Sequence, residues 1–126
     1  MAKTLSVTMA NEYSKPAVCI EMKSGPALLS AVEVDSLIEA LCSLRANMQP
    51  AVPAEVSRTH KYVMETNPSW YIERHPFYEG AALFLRHSGL GWTSFAIPLQ
   101  SLRELHMAIG AHVRELESLA ALSTLN

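Results

Sequence analysis

Apolar and polar side chains alternate along the opening of the chain. Leu5, Val7 and Met9 are set against Ser6 and Thr8. Further on, Val18, Ile20 and Met22 are set against Cys19, Glu21 and Lys23. A period of two belongs to strands with an inner and an outer face. The pattern predicts strands over 5–9 and 17–23, with a third over 28–32. A polar turn over 11–15, stopped by Pro16, and Ser24-Gly25-Pro26 separate them. The period then changes. Leu37, Leu41, Leu44 and Met48 recur at helical spacing, with Ile38 and Cys42 beside them. Ser36-Leu37-Ile38-Glu39 fits a capping box, in which the serine hydroxyl accepts from the amide three residues on and the glutamate reaches back. A helix is predicted from Ser36 to near Met48, ahead of Pro50 and Pro53.

Residues 49–60 have no period and read as a connection. The second half then repeats the plan. Strands are predicted over 61–65, 70–74, 81–87 and 92–97, with turns at Thr66-Asn67-Pro68 and Ser88-Gly89-Leu90-Gly91. His75-Pro76 interrupts the run, because proline has no amide donor and restricts the residue before it. Leu102, Leu105, Ile109, Val113 and Leu116 form the stripe of a final helix. Ser101-Leu102-Arg103-Glu104 offers it a second capping box, and it runs to about 119 or beyond.

Laid over each other with a shift of 65 residues, the halves coincide in pattern. Val18 and Ile20 fall on Leu83 and Leu85, Glu21 on Arg86, Tyr13 on Tyr78, and Ser36 on Ser101. Two readings fit this. One is an internal pseudo-repeat. The other is that any two strand–strand–strand–helix units obey the same periodicities. Either way the expected class is α+β: an antiparallel sheet built from two such halves, with the helices packed on one face. The expected organisation is a single domain over 1–126, with halves at about 1–48 and 61–122.

The alternation sorts the strands into faces. The inner set is Leu5, Val7, Val18, Ile20, Leu83 and Leu85, joined by Phe95 and Ile97. The outer set of the second half is Tyr71, Glu73, Phe84, Arg86, Trp92, Ser94 and Ala96. In the first half it is Cys19, Glu21, Leu29 and Ala31, which is smaller and less aromatic. Exposed apolar patches mark contact surfaces. Tyr71, Phe84, Arg86 and Trp92 are therefore the candidate binding or interface residues. Three readings compete for them: an interface with a second copy or another protein, a core position misassigned by a one-residue slip, and a platform on which a flat ligand stacks.

Composition narrows the field. Hydrophobic residues make up 49% and charged residues 17%, so the chain can bury a core. A net charge of −2 argues against binding nucleic acid or a membrane surface by bulk charge. No apolar run approaches the ~18–20 residues of a membrane span, and the first residues read as the lead into a strand. Cys19 and Cys42 are the only cysteines, fewer than a disulfide scaffold carries. Reduced cysteines in the cytoplasm are the expectation.

Chemistry-bearing motifs are sparse. His60, His75, His87, His106 and His112 show no H-E-x-x-H spacing, and there is no C-x-x-C or G-x-S-x-G. No metal, cofactor or catalytic residue is expected. An enzyme would require His75, His87 and Glu73 to converge in a pocket. Cys42, near the first helical stripe, reads as a small buried hydrophobe, and Cys19 as the more accessible thiol. Gly89-Leu90-Gly91 precedes a strand, so it reads as a hairpin turn needing positive φ rather than as a dinucleotide loop. Arg86 to Trp92 gathers a cation, an imidazole, two glycines and an indole around that turn. Gly110, inside the last helix, suits a close helix crossing.

The repeated strands-then-helix plan is similar to the architecture of single-stranded nucleic-acid-binding regulators of the PC4 and Pur type. In these, strand-rich units ending in a helix pair up within or between chains. The resemblance is one of topology across both halves, so no binding residues transfer. It implies an alternative function as a single-stranded nucleic-acid-binding regulator, against which the acidic balance weighs. The leading expectation is a small non-enzymatic binding or assembly module, a homodimer or a protein's partner, acting through the aromatic sheet face.

Overall fold

The computed structural model describes residues 5–12, 15–22 and 24–124. Tyr13, Lys23, the first four residues and the middle of the expected turn over 11–15 lie outside the described residues, as does the side chain of Leu5. The chain divides into two compact units, Met1–Val63 and Met64–Asn126.

In the first unit, β1 (Leu5–Glu12), β2 (Lys15–Met22) and β3 (Gly25–Leu29) form an antiparallel sheet in that order, followed by α1 (Ala31–Arg45). Directly opposed residues share a face of such a sheet. Val7 is opposite Ile20, and Met9 opposite Val18, which puts Val7, Val18 and Ile20, all expected inside, on one side together with Met9. The end of this unit departs from expectation. The third strand occupies Gly25–Leu29, not 28–32, and the helix starts before Ser36. The working capping box is Ser30 with Glu33. Ser30 Oγ accepts from the Glu33 amide at 3.3 Å, and Glu33 Oε1 accepts from the Ser30 amide at 3.1 Å. Both bonds hold the Glu33 carboxyl below its ordinary pKa. Val32 and Val34 look like strand residues by propensity, yet the box fixes the boundary upstream of them.

In the second unit, β4 (Trp70–Arg74), β5 (Gly80–His87) and β6 (Gly91–Pro98) form a second antiparallel sheet in that order, followed by α2 (Leu99–Ser123). The expected strand over 61–65 is absent, and those residues are irregular. The second expected capping box is also absent. Pro98, at φ −65° and ψ 159°, occupies the N-cap without a side-chain hydrogen bond. Helix starts immediately after it, so Ser101 already lies within the first turn. Glu104 there accepts from the Gln100 side-chain amide at 3.3 Å. The Leu99 amide donates to the Glu79 carbonyl at 3.3 Å, tying the helix start to the lead into β5.

The architecture is thus α+β, with two three-stranded sheets where one sheet was expected. The 65-residue shift carries β2 onto β5 end to end, but not α1 onto α2. Among the described residues only Ala17 and Ala81 are buried, each on the middle strand of its sheet. Neither helix buries a residue. The residues expected inside are only partly covered: Val18, Ile20, Leu83, Leu85 and Ile97 are half-buried, and Val7 and Phe95 are exposed. A strand triplet with one helix has two broad faces, and one helix cannot cover both.

Two local features can be tested directly. A Cβ built at Gly80 meets the Ile97 carbonyl oxygen. That obstacle is backbone, so Gly80→Ala should destabilise the second unit by about 1–3 kcal/mol. Both tryptophans, Trp70 and Trp92, lie on that unit's sheet, and their fluorescence in a urea titration reads the change. Ser30→Ala should cost about 1 kcal/mol of helix stability, measured by far-UV circular dichroism. An unchanged midpoint would show that the box contributes nothing.

Candidate functional site: the aromatic face of the second sheet

The register of β4, β5 and β6 brings the candidate residues together. Tyr71 stands opposite Phe84, which stands opposite Ser94. Glu73 is opposite Ala82, which is opposite Ala96. Arg86 is opposite Trp92. Tyr71, Glu73, Phe84, Arg86, Trp92, Ser94 and Ala96 therefore share one face, because opposed side chains point the same way and alternate residues return to the same side. The four sequence candidates, Tyr71, Phe84, Arg86 and Trp92, are all on it.

The rings on this face make specific contacts. Tyr71 and Phe84 have centroids 5.9 Å apart at an interplanar angle of 48°. That is within the range of tilted aromatic pairs. The Tyr71 hydroxyl donates to Glu73 Oε2 at 3.0 Å, two residues along the same strand face. The neighbouring carboxylate raises the phenol's pKa above its ordinary value. Tyr71 is 54% exposed and Trp92 55%, while Phe84 is half-buried and Arg86 exposed. The face has one carboxylate and one guanidinium on an otherwise aromatic and small-residue surface.

The opposite face of the same sheet is also apolar. Trp70, Leu85 and Thr93 oppose one another, as do Ile72, Leu83 and Phe95. Trp70 is 67% exposed. The first unit is poorer in rings. There Thr8, Cys19 and Leu28 share a face. Leu29 lies on the other side and Ala31 on the helix, so the expected outer set of that half is corrected at both positions. The slip follows from placing the third strand three residues late. The thiols are also reversed in exposure: Cys19 is half-buried and Cys42 exposed. Around Cys42 the stripe residues Leu41, Leu44 and Met48 are exposed, so Cys42 has no interior to enter.

At one end of the aromatic face the β5–β6 turn is held by a residue from outside the hairpin. Glu65 Oε1 accepts from the Ser88 amide at 2.8 Å and from the Ser88 hydroxyl at 2.7 Å. Within the turn, His87 Nδ1 accepts from the amides of Gly89 at 3.0 Å and Leu90 at 3.1 Å. Gly91 closes it at φ +80°, a left-handed conformation that suits glycine. The G-x-G is a hairpin turn, with the positive φ at its second glycine. Sequence reasoning missed Glu65. It is 23 residues from Ser88 and sits in an irregular stretch, so no local pattern announces it. Ser88, followed by the charges of His87 and Arg86, lowers the Glu65 carboxyl's pKa.

His75, His87 and Glu73 are not gathered in one pocket. The His75 amide donates to the Gly80 carbonyl at one end of β5, whereas His87 is opposite Gly91 at the other. Seven steps along the strand lead from Gly80 to His87, roughly 23 Å of extended chain. Glu73 is engaged by Tyr71. His75 stacks against Tyr78 with centroids 4.1 Å apart, and its Nδ1 accepts from the Phe77 amide at 3.1 Å. An open groove of about 610 Å³ runs past Arg74, His75, Tyr78, Leu99 and Leu102. Among the described residues no three His, Cys, Asp or Glu side chains are placed to hold a metal ion. No described helix is long and apolar enough to cross a membrane.

The Glu65 clamp has a defined pH signature. The folded carboxyl has the lower pKa, so its stabilising effect is fully present above the unfolded carboxyl range. It is lost as pH falls through the folded value. The Ser88 amide resonance should therefore move toward a random-coil position on acidification below the ordinary glutamate range. In Glu65→Gln that transition should disappear, and one unchanged from the parent would refute the clamp.

Compared with protein families, curated proteins and solved structures, the chain matches none.

Proposed function

We propose that the protein is a non-enzymatic assembly module that self-associates as a homodimer through the aromatic face of its second sheet. The observation that carries this is the near absence of an interior. Among the described residues the only buried apolar side chains are two alanines. Meanwhile Trp70, Tyr71, Trp92 and Phe95 are each at least half exposed, and along α2 so are Ile109, Leu116, Leu119 and Leu122.

The areas express the same point. The chain exposes 11516 Å². Two separately folded units of this mass would expose about 8,000 Å² in total. The surplus exceeds the roughly 1,000–2,500 Å² that each partner buries in an obligate interface. Most of a helix's stability in a protein comes from the packing of its amphipathic face, and the stripe of α2 stays largely exposed. Partner contact is the physical answer to this exposure.

The sheet face fits such a contact. Rings and an arginine are the residue types in which buried interface centres are enriched. A single cation, Arg86, on a face that also carries the carboxylate of Glu73 suits backbone phosphates poorly, which favours a protein contact over a single strand of nucleic acid. The end-to-end coincidence of β2 with β5 under the 65-residue shift supports reading the halves as a pseudo-repeat, in which the second unit has the more aromatic face.

Trp92→Ala and Phe84→Ala should each raise the dimer dissociation constant by about 30-fold or more, the effect of losing a hot-spot ring. Sedimentation equilibrium over a concentration series measures it, with circular dichroism confirming that secondary structure persists. An unchanged association constant in both variants would remove the face from the interface. A parent chain that is monomeric throughout would remove the assembly reading itself.

A further inference from the structure

The aromatic face is graded along its strands, in charge and in height. At one end stand Arg86 and Trp92, a cation beside the largest ring of the face. The middle row is Tyr71, Phe84 and Ser94. At the other end Glu73, Ala82 and Ala96 lie side by side, a carboxylate and two methyl groups. Four steps along β5 lead from Arg86 to Ala82, roughly 13 Å. One end is therefore tall and positive, and the other low and negative. Tyr71 donates to Oε2 of Glu73, so Oε1 is the oxygen offered to a cation. Arg86 also acts on Glu65, but that carboxyl is lowered first by its two bonds to Ser88 and last by Arg86.

We infer that two copies stack face to face about a two-fold axis that runs across the strands, through the row of Tyr71, Phe84 and Ser94. This rests on the self-association reading and adds the orientation of the second copy. Aligned sheets keep their strand directions within about 30° of one another, so a two-fold between the faces runs either along the strands or across them. An axis along β5 sets Arg86 over Arg86 of the second copy, like charge on like. An axis across the strands sets each end of one face over the opposite end of the other. Arg86 then lies over Ala82 of the second copy, one strand, about 4.8 Å, from the second copy's Glu73. Trp92 lies over Ala96 of the second copy, where a methyl group leaves depth for the indole. Both contacts occur twice, once on each side of the axis, and the Tyr71–Phe84 pairs meet at the centre. A second copy is the fitting occupant because this particular grading, reversed, complements itself in charge and in height together. The stack also covers the face where it is most open, at Tyr71 and Trp92, which are 54% and 55% exposed. The rings give the contact its strength. The charges give it direction, because opposed like charges are costly whereas exposed pairs add little.

Charge reversal in two chains tests the orientation. Arg86→Glu and Glu73→Arg, each alone, set like charges together in both contacts and should raise the dimer dissociation constant at least about tenfold. An equal mixture of the two variants restores both opposite-charge pairs. Sedimentation of that mixture, at a concentration where each variant alone is monomeric, should show a dimer. Ala96→Leu fills the place that Trp92 takes and should weaken the dimer by a similar factor, and mixing it with Trp92→Ala should recover association. Far-UV circular dichroism checks that each variant is folded. A dimer that both charge reversals leave intact, or charge variants that stay monomeric when mixed, overturns the orientation. In either case, loss of the dimer in Trp92→Ala and Phe84→Ala leaves self-association through the face standing. A parent chain that is monomeric at every concentration overturns both.

Discussion

A three-stranded sheet has two faces and two edges, and a single helix can cover only one of those four surfaces. That mismatch governs each unit of this protein. The middle strand is the best-protected place available, and there the residues that become buried are alanines, Ala17 and Ala81. Larger apolar residues on the second sheet are distributed over both sides. Tyr71, Phe84 and Trp92 lie on one, and Trp70, Ile72, Leu83 and Phe95 on the other. Strands that are apolar on both sides belong to sheets covered on both sides. Within this unit both sides of the sheet therefore stay only partly covered.

The units nevertheless hold their local shape by interactions that need no deep core. Backbone ladders set the sheets. Ser30 and Glu33 satisfy two of the amides that a helix start leaves without partners. Gly80 permits a backbone approach to Ile97 that any side chain would obstruct. Glu65 and the His87 ring between them accept three turn amides at the β5–β6 hairpin, along with the Ser88 hydroxyl. These contacts are mostly polar and exposed, and each fixes geometry more than it adds stability. They explain how a strand as apolar as β6 is presented in one register without a core behind it.

Period-two alternation made the strands of the second half legible, because 70–74, 81–87 and 92–97 are bounded by strong turn signals: His75-Pro76 and the Ser-Gly-Leu-Gly stretch. Once those strands pair as consecutive hairpins, the shared face of Tyr71, Phe84, Arg86 and Trp92 follows from parity. The helix starts were less legible. Three Ser-x-x-Glu or Ser-x-x-Glu-like choices compete in this chain, and a capping box is defined by backbone dihedrals at the serine, which spelling does not reveal. Ser30 is extended and caps, whereas Ser101 is already helical. A third strand expected over 28–32 rather than 25–29 puts Leu29 and Ala31 on the wrong face. Coverage by the helices was the least legible property. An apolar stripe states that a helix needs a partner and is silent on which surface provides it.

Three rows of side chains cross the aromatic face. Tyr71, Phe84 and Ser94 form the middle one, Arg86 and Trp92 lie on one side of it, and Glu73, Ala82 and Ala96 on the other. The two charges therefore stand at opposite ends of the face, with the Tyr71–Phe84 pair between them. With alanines and a serine for neighbours, Tyr71 and Trp92 stay more than half exposed. Rings at the middle of a face and charges at its ends mean that a molecule laid on the face meets the rings first, and burial of the rings, more than pairing of the exposed ions, would set the strength of that contact.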